Sequence, residues 1–402
     1  MKKNLFLITS LFPYGHAETF LETEIHYAAD FFENIYILPL NKTTNKRNTP
    51  KNCSVSPIEF KNSWFFLKIF KIFLNNLILK ELLSLFYKKN KVGILKTMVV
   101  TLNKSIQIEQ FILTKLNKNE LNNTIFYSYW CVESAMALAL LKKKYPMLTT
   151  ISRAHGWDLY FETNKYNHLP FKPFISKYTN QIFPISNTGK NYILERWNTK
   201  NEPKTAFLGV NSNTLLEPNK NEFILVSCSN TIKLKRVELI LYALKQINET
   251  YIKWVHFGDG AEFENLKEKA RSIVPNIHIE WKGRVNNEEV IHFYKKENPF
   301  LFINVSSSEG IPVSIMEAFS FGIPVIATNV GGTHEIVIDN YNGILLKENP
   351  TIEEIKSAIL KIKYLEAYEY EKMKLNAWNT LNEKFSAEKN YKTFYETVLN
   401  LS

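Results

Sequence analysis

The stretch that most restricts what this chain can fold into is Ile303–Gly332, INVSSSEGIPVSIMEAFSFGIPVIATNVGG. A β-type run, Pro299–Val305, leads through three serines and Glu309-Gly310 to Pro312, ahead of the apolar Val313–Phe319. Proline costs nothing in the first turn of a helix, where the N–H it lacks would be unpaired anyway. The punctuation predicts a strand, a short polar turn, a helix from Ile311 or Pro312, and a second strand at Ile323–Thr328. The amides of Gly310, Ile311 and Val313 then face out of a helix N-terminus, where free N–H groups and the helix dipole favour an anion such as a diphosphate. Glu309 and Glu317 are eight residues apart, roughly two turns, which puts both on one side of that helix. Phosphate on the amides and hydroxyls on the carboxylates suits a nucleotide sugar. Without this turn the two glutamates would read as ordinary solvated helix residues.

The rest of the chain alternates strand and helix. Asn4–Thr9 reads as a strand, a turn containing Gly15 follows, then a helix Glu18–Phe32 and a strand Asn34–Pro39. That βαβ start opens a parallel, doubly wound sheet. A short strand is expected around Val55–Glu59. Further strands are expected at Thr124–Tyr129, Leu148–Ala154, Gln181–Ile185 and Lys204–Phe207, with helices Val132–Lys144 and Thr188–Trp197. Asn211–Asn221 is rich in Asn, Pro and Lys, lacks periodicity, and reads as a linker. The alternation then restarts with strands Phe223–Ser227, Lys253–Gly258 and Ile277–Trp281 and helices Arg236–Ile247, Glu262–Ala270 and Asn287–Lys296. Helices Ile352–Lys363 and Ala387–Leu399 follow the opening stretch. The 402 residues suit two domains, 1–210 and 211–386, with a terminal helix in 387–402.

Composition narrows the class. An apolar content of 45% is enough for two packed cores and too high for disorder. The net charge of +11 points to an anionic partner: a nucleotide, an acidic membrane surface or a polyanion. Cys53, Cys131 and Cys228 are odd in number and widely spaced, which with no signal peptide argues for reduced thiols in the cytoplasm. No run approaches the 18 or so apolar residues of a transmembrane helix. Ser63–Tyr87 is aromatic and leucine-rich, with Lys61, Lys68, Lys71 and Asn75 on a polar stripe. Lys61–Lys91 carries seven Lys against one Glu. Such a stretch is either a basic amphipathic surface for an anionic membrane or a pair of core helices with solvated lysines.

The E-x7-E spacing inside S-x-x-EG-x-P, followed by EA…G-x-P-V-I-A-T-x-x-G-G…E, resembles the family-4 retaining glycosyltransferases with the GT-B fold. FPYGHAETFLETEI, with Gly15, resembles their N-terminal loop. The resemblance covers nearly the whole chain, most closely Leu301–Gly343 and least Cys53–Leu121. It implies an α/β protein of two doubly wound, Rossmann-like domains facing across a cleft, with the terminal helix returning to the N-terminal domain. It also implies a retaining transferase that moves one sugar from a UDP- or GDP-linked donor to a glycan or lipid-linked acceptor of surface polysaccharide synthesis. The expected location is cytoplasmic, at the inner face of the membrane, with no nucleic-acid partner.

The resemblance assigns roles residue by residue. RAHGWDLY resembles an acceptor-side histidine motif of a polysaccharide-assembly branch, which makes His155 catalytic beside Glu309; alone, it would read as a histidine satisfied by local backbone. SCSNTIKLKRVELI resembles the diphosphate-holding loop. There Lys235 fits the family's lysine, while Asn230 stands where the family has arginine, and Arg236 or Lys233 would replace that charge. Gly283 and Val285 fall beside the nucleotide base, or else form an ordinary turn at a strand end. Gly310, Ile311, Pro312, Val313 and Glu317 complete the donor set. The four aspartates, Asp30, Asp158, Asp259 and Asp339, form no D-x-D pair, so no metal or cofactor is expected. Two rivals share these features: a nucleotide-sugar epimerase, and a catalytically weak nucleotide-sugar-binding partner of an assembly complex.

Overall fold

Segments such as NLFLIT, TIFYS and FILVSC have unbroken apolar centres and are buried at nearly every position, which fits strands covered on both faces by helices. The computed structural model describes residues 2–61, 65–197, 199, 201–217, 222–247, 252–273 and 277–401. The chain divides into two units, Met1–Phe207 with Tyr391–Ser402, and Leu208–Asn390.

In the first unit β1 (Asn4–Thr9), β2 (Ile35–Pro39), β3 (Cys53–Val55), β4 (Thr124–Ser128), β5 (Thr149–Ala154) and β6 (Gln181–Pro184) form a parallel sheet ordered β3-β2-β1-β4-β5-β6. Leu5 pairs with Ile35 on one side of β1 and with Ile125 on the other. Helices Phe20–Phe31 and Glu133–Lys144 follow β1 and β4. A buried charge cluster crosses this core. The Arg153 guanidinium lies 3.4 Å from Glu24 and donates to the Tyr127 hydroxyl at 2.7 Å. Tyr127, Tyr129 and Tyr395 donate to the Glu24 carboxylate at 3.0, 3.2 and 3.1 Å. Tyr395 belongs to the last helix, Ala387–Leu399, whose part from Tyr391 onward lies in the first unit, where Tyr395 helps to satisfy this charge. A buried ion pair persists only when its remaining donors and acceptors are filled in this way.

The second unit holds β7 (Phe223–Cys228), β8 (Ile252–Phe257), β9 (His278–Gly283), β10 (Leu301–Asn304), β11 (Val325–Thr328) and β12 (Gly343–Leu346), ordered β12-β11-β10-β7-β8-β9. Numbered from its own first strand, each sheet has the order 3-2-1-4-5-6. The two doubly wound, Rossmann-like sheets expected from the alternation are therefore both present among the described residues.

Several expectations need correcting. Residues 204–207 form no strand, although Lys204 donates to the Ile182 carbonyl at 3.1 Å and Ala206 to that of Pro184 at 2.9 Å. The third strand is Cys53–Val55, not Val55–Glu59, because the ladder with β2 pairs Ile37 with Val55 and ends there. Helix Lys91–Lys115, β12 and helix Ala367–Lys384 were not anticipated. Of the expected linker, residues 218–221 lie outside the described residues. The part before them donates from Asn213 to the Ser320 carbonyl at 3.2 Å and from Leu216 to Phe321 at 3.2 Å. In the basic segment, residues 62–64 lie outside the described ones. Helices Phe66–Phe73 and Asn76–Ser84 follow, and the buried side chains are Ile69 in the first and Ile78 in the second.

Candidate functional site

In doubly wound sheets ligands gather where the strand order reverses, outside the carboxyl ends of the two central strands. In the second unit those strands are β7 and β10. The loop after β10 leaves Asn304, whose side-chain oxygen takes the Ser306 amide at 3.0 Å. Thr328 and Leu234 then pin it, the former donating to the Ser306 carbonyl and the latter accepting from the Ser307 amide at 2.8 Å. So tied, the loop bends at Ser307 and again at Gly310 and Ile311, Pro312 is extended (ψ 116°), and the helix is Val313–Phe319. Glu309 therefore sits in the loop ahead of the helix. This corrects the expectation that both glutamates share a helix face: only Glu317 is on the helix.

Glu309 is nevertheless firmly placed. Its carboxylate pairs with the Lys235 ammonium at 2.6 Å and accepts from Asn304 Nδ2 at 3.2 Å. A Cβ on Gly331 would stand 1.8 Å from the Glu309 carbonyl, and φ there is +53°, so only glycine lets this backbone press against the loop. The neighbouring Gly332 amide donates to the Gly310 carbonyl at 2.7 Å. Among the described residues the amides of Gly310, Ile311 and Val313 meet no hydrogen-bond acceptor.

Lys235 ends a short turn, Lys233–Lys235, after which Arg236 takes a left-handed backbone (φ 48°). With that backbone the Arg236 side chain, expected to bind the donor, is engaged by the protein itself. Its guanidinium donates to the carbonyls of Val305 at 2.7 Å, Ser306 at 2.7 Å and Glu348 at 2.8 Å, and to Asn349 at 3.0 Å. It fastens the β10 loop. Lys233 is exposed.

Glu317 is 9% exposed, and its carboxylate accepts from Asn287 Nδ2 at 2.6 Å. Beside it, burial pushes the Cys228 thiol up to about 12, with the Glu317 charge adding to the effect and Lys235 opposing it. Burial also raises the Tyr294 hydroxyl, reinforced by Cys228 and Glu317. Gly283 has φ +64° and open space where a side chain would be. Its carbonyl accepts the Gly258 amide at 2.7 Å, and Arg284 bridges to Asp259 at 2.7 Å. Val285 lines a cavity with Phe257 and Phe293 on the β8–β9 side.

His155 and Gly15 belong to the first unit. His155, 6% exposed, lies among the rings of Phe20, Tyr129 and Trp130, with centroids 5.8, 4.9 and 4.4 Å away. Neither ring nitrogen has a hydrogen-bond partner among the described residues; Nδ1 is 3.7 Å from Asp158, too far for one. Asp158 instead accepts the amides of His155 and Cys131, each at 2.8 Å. Burial works against its charge, but His155, Lys172 and the Cys131 amide together hold its carboxyl below the usual range. The loop after β1 is closed by Glu18, which accepts the amides of Ser10, Leu11 and Phe12 at 2.9, 2.8 and 2.7 Å and the Trp130 indole. Gly15 (φ +60°) donates its amide to the Asn45 carbonyl at 2.8 Å.

Sequence reasoning missed Asn304, Asn287 and Glu18. Asn304 had a signal, as a polar residue closing a buried strand directly before the glutamate motif. Asn287 reads as an ordinary helix-start residue and had none.

The family described as Glycosyl transferases group 1 matches residues 214–379, which hold β7 to β12 and this site. An uncharacterized glycosyltransferase of Methanocaldococcus jannaschii is 31% identical over 256 residues, 62% of this chain and 68% of its own. The O-antigen biosynthesis glycosyltransferase WbnH of Escherichia coli is 27% identical over 61% of this chain and 68% of its own. The alignments span between 53% and 68% of the length of three curated relatives. Anabaena HepE, solved in complex with UDP and glucose, superposes with a TM-score of 0.69 at 13% identity, over 99% of this chain and 100% of that one. The fold is GT-B, and the chain belongs to the group 1 glycosyl transferases.

Proposed function

We propose that this chain transfers one sugar, with retention and without a metal ion, from a UDP- or GDP-linked donor to a lipid-linked glycan of surface polysaccharide synthesis at the inner face of the membrane. The observation that carries the reading is the Lys235–Glu309 pair at 2.6 Å, set at the strand-order reversal of the second sheet. A cation and a carboxylate held together there match the two ends of a donor, diphosphate and sugar hydroxyls. The incoming diphosphate takes Lys235, which releases Glu309 to the sugar, and the amides of Gly310, Ile311 and Val313 share the phosphate charge. Glu317, oriented by Asn287, accepts the ribose hydroxyls. The bond from the anomeric carbon to the phosphate oxygen breaks with its electron pair going to the diphosphate. The acceptor oxygen bonds to the same face, and its proton passes to the departing phosphate. In the first unit, His155, whose ring nitrogens have no hydrogen bond among the described residues, is assigned to a sugar hydroxyl.

WbnH, named for O-antigen biosynthesis, and HepE, holding UDP and glucose, support this choice of donor and acceptor class. The test is a thermal-shift screen of the full chain against nucleotide sugars, since a bound ligand raises stability by mass action. Turnover with membrane extract, with and without EDTA, and NMR of the product anomer then follow. The expected result is stabilisation by one UDP- or GDP-sugar and an α-linked product whose formation ignores EDTA. Product formed without acceptor would make the chain an epimerase, and no stabilisation by any donor would overturn the reading.

A further inference from the structure

The segment from Phe65 to Thr101 exposes what a soluble core would hide. Leu67 is 81% exposed, Phe70 63%, Phe86 72%, Tyr87 94% and Val92 77%. Leu83, Phe86, Val92 and Leu95 also line an apolar groove of about 360 Å³ between helix Asn76–Ser84 and the start of helix Lys91–Lys115. Contiguous apolar surface of this kind marks a place of contact rather than a resting surface.

Charge says what the contact is. The segment holds seven lysines and a single acid, Glu81. Glu81 is turned inward, 3.0 Å from His168 and accepting the Phe171 amide at 3.1 Å. Lys68, Lys71, Lys80, Lys89, Lys91 and Lys96 are exposed, so the charge presented to the outside in this segment is positive. We propose that this face is a docking surface for the anionic leaflet of a lipid bilayer, with Leu67, Phe70, Leu83 and Phe86 entering the headgroup–acyl boundary and the lysines meeting lipid phosphates. Apolar side chains flanked by snorkelling lysines are the make-up of an interfacial helix, and each lysine near an anionic surface strengthens attraction. No described helix is long and apolar enough to cross a membrane, so the contact is with one leaflet. A second copy of the chain fits less well: a two-fold contact brings the same patch against itself, lysines against lysines.

The proposal deepens the membrane location in the proposed function, and its observations are independent of the transfer chemistry. Flotation of the full chain with phosphatidylcholine vesicles, with and without phosphatidylglycerol, tests it at low and high salt. Binding only to the anionic vesicles, falling as salt rises, is expected. Lys68→Gln, Lys71→Gln and Lys80→Gln combined should weaken partitioning roughly a hundredfold, about fivefold per lysine. Phe70→Trp should add a blue-shifted fluorescence component that brominated lipid chains quench. Equal binding to both vesicles, no binding, or a salt-stable dimer that buries the patch each overturns it. A chain that floats but takes no nucleotide sugar removes the transfer reading and leaves the surface standing. One that takes nucleotide sugar but ignores vesicles removes the surface and the membrane location and leaves the transfer chemistry standing.

Discussion

The two sheets share one strand order, yet their first loops have opposite fates. After β1 the amides of Ser10, Leu11 and Phe12 converge on an anion, and the chain supplies that anion itself from Glu18. After β7 the chain supplies a cation, Lys235, and pairs it with Glu309 from the loop after β10. A loop filled by its own carboxylate offers nothing to a phosphate, whereas a cation held by a displaceable carboxylate does. The same topology thus yields one switch point closed by its own carboxylate and one that the proposed function opens to a phosphate, and single side chains decide which. Breaking this contrast is the most informative thing to do to the molecule.

The largest effect is expected where no exchange is allowed. Arg153 and Glu24 are fully buried, and removing one leaves the other charge alone in the core. Arg153→Met should lower the unfolding free energy by about 3–5 kcal/mol, measured by denaturant titration of the full chain. Glu24→Gln should also lower it, less severely because its amide can still accept from Tyr127 and Tyr395. A loss under about 1 kcal/mol in Arg153→Met would show that the cluster is solvated and the closed description of the first unit is wrong.

Next comes the receptive loop. Lys235→Ala should cut turnover by roughly a hundred- to a thousandfold, the scale for losing one group that stabilises developing charge, while leaving the fold intact. Lys233→Ala should cost less, since that residue is exposed. Arg236→Ala should act differently, lowering stability because it releases the carbonyls of Val305, Ser306 and Glu348. If Arg236→Ala is as stable as the parent but inactive, the guanidinium reaches the donor after all.

How much of this contrast could be read in advance depends on how local its causes are. The strands were legible because β1, β4 and β7 have unbroken apolar centres, and Lys235, Glu309 and Glu317 stood out because they lie in a motif, of which the structure pairs Lys235 with Glu309. Helix Lys91–Lys115 escaped because apolar residues occupy too much of its circumference. Ile94, Met98 and Leu102 form one buried line, Ile108 and Ile112 another, and Val92 and Leu95 face out, so no single stripe marks it. Arg236 escaped because its direction depends on a left-handed φ that an Arg does not advertise. Glu18 was hidden for a related reason: an acid at a helix start reads as a dipole partner, and only the folded turn brings three amides onto it.

A smaller effect is expected at the second glutamate. Glu317→Gln should weaken donor binding by about 1.5–3 kcal/mol, the worth of a hydrogen bond to a charged group, read by calorimetry with the donor found in the screen. The Asn287 contact gives this a control. Asn287→Ala leaves the charge in place but loosens its aim, so it should weaken donor binding less than Glu317→Gln does. Equal losses would mean that Asn287 touches the donor itself.

The smallest effect tests the closed loop. Glu18→Gln keeps an acceptor oxygen but removes the charge and turns an NH2 toward amides that are themselves donors. Hydrogen bonds to a charged acceptor are about twice as strong as neutral ones, so a loss of roughly 1–2 kcal/mol in stability follows. Glu18→Ala goes further and empties the position, leaving the amides of Ser10, Leu11 and Phe12 facing outward. Should the contrast between the two sheets rest on this one carboxylate, sulfate or phosphate will restore stability to Glu18→Ala in proportion to its concentration. The same anion will do little for Arg153→Met, whose defect lies in the core. Rescue of both variants alike would reduce the effect to general salting-out. Rescue of neither would mean that the turn after β1 is held by its backbone, and that Glu18 follows its shape rather than fills it.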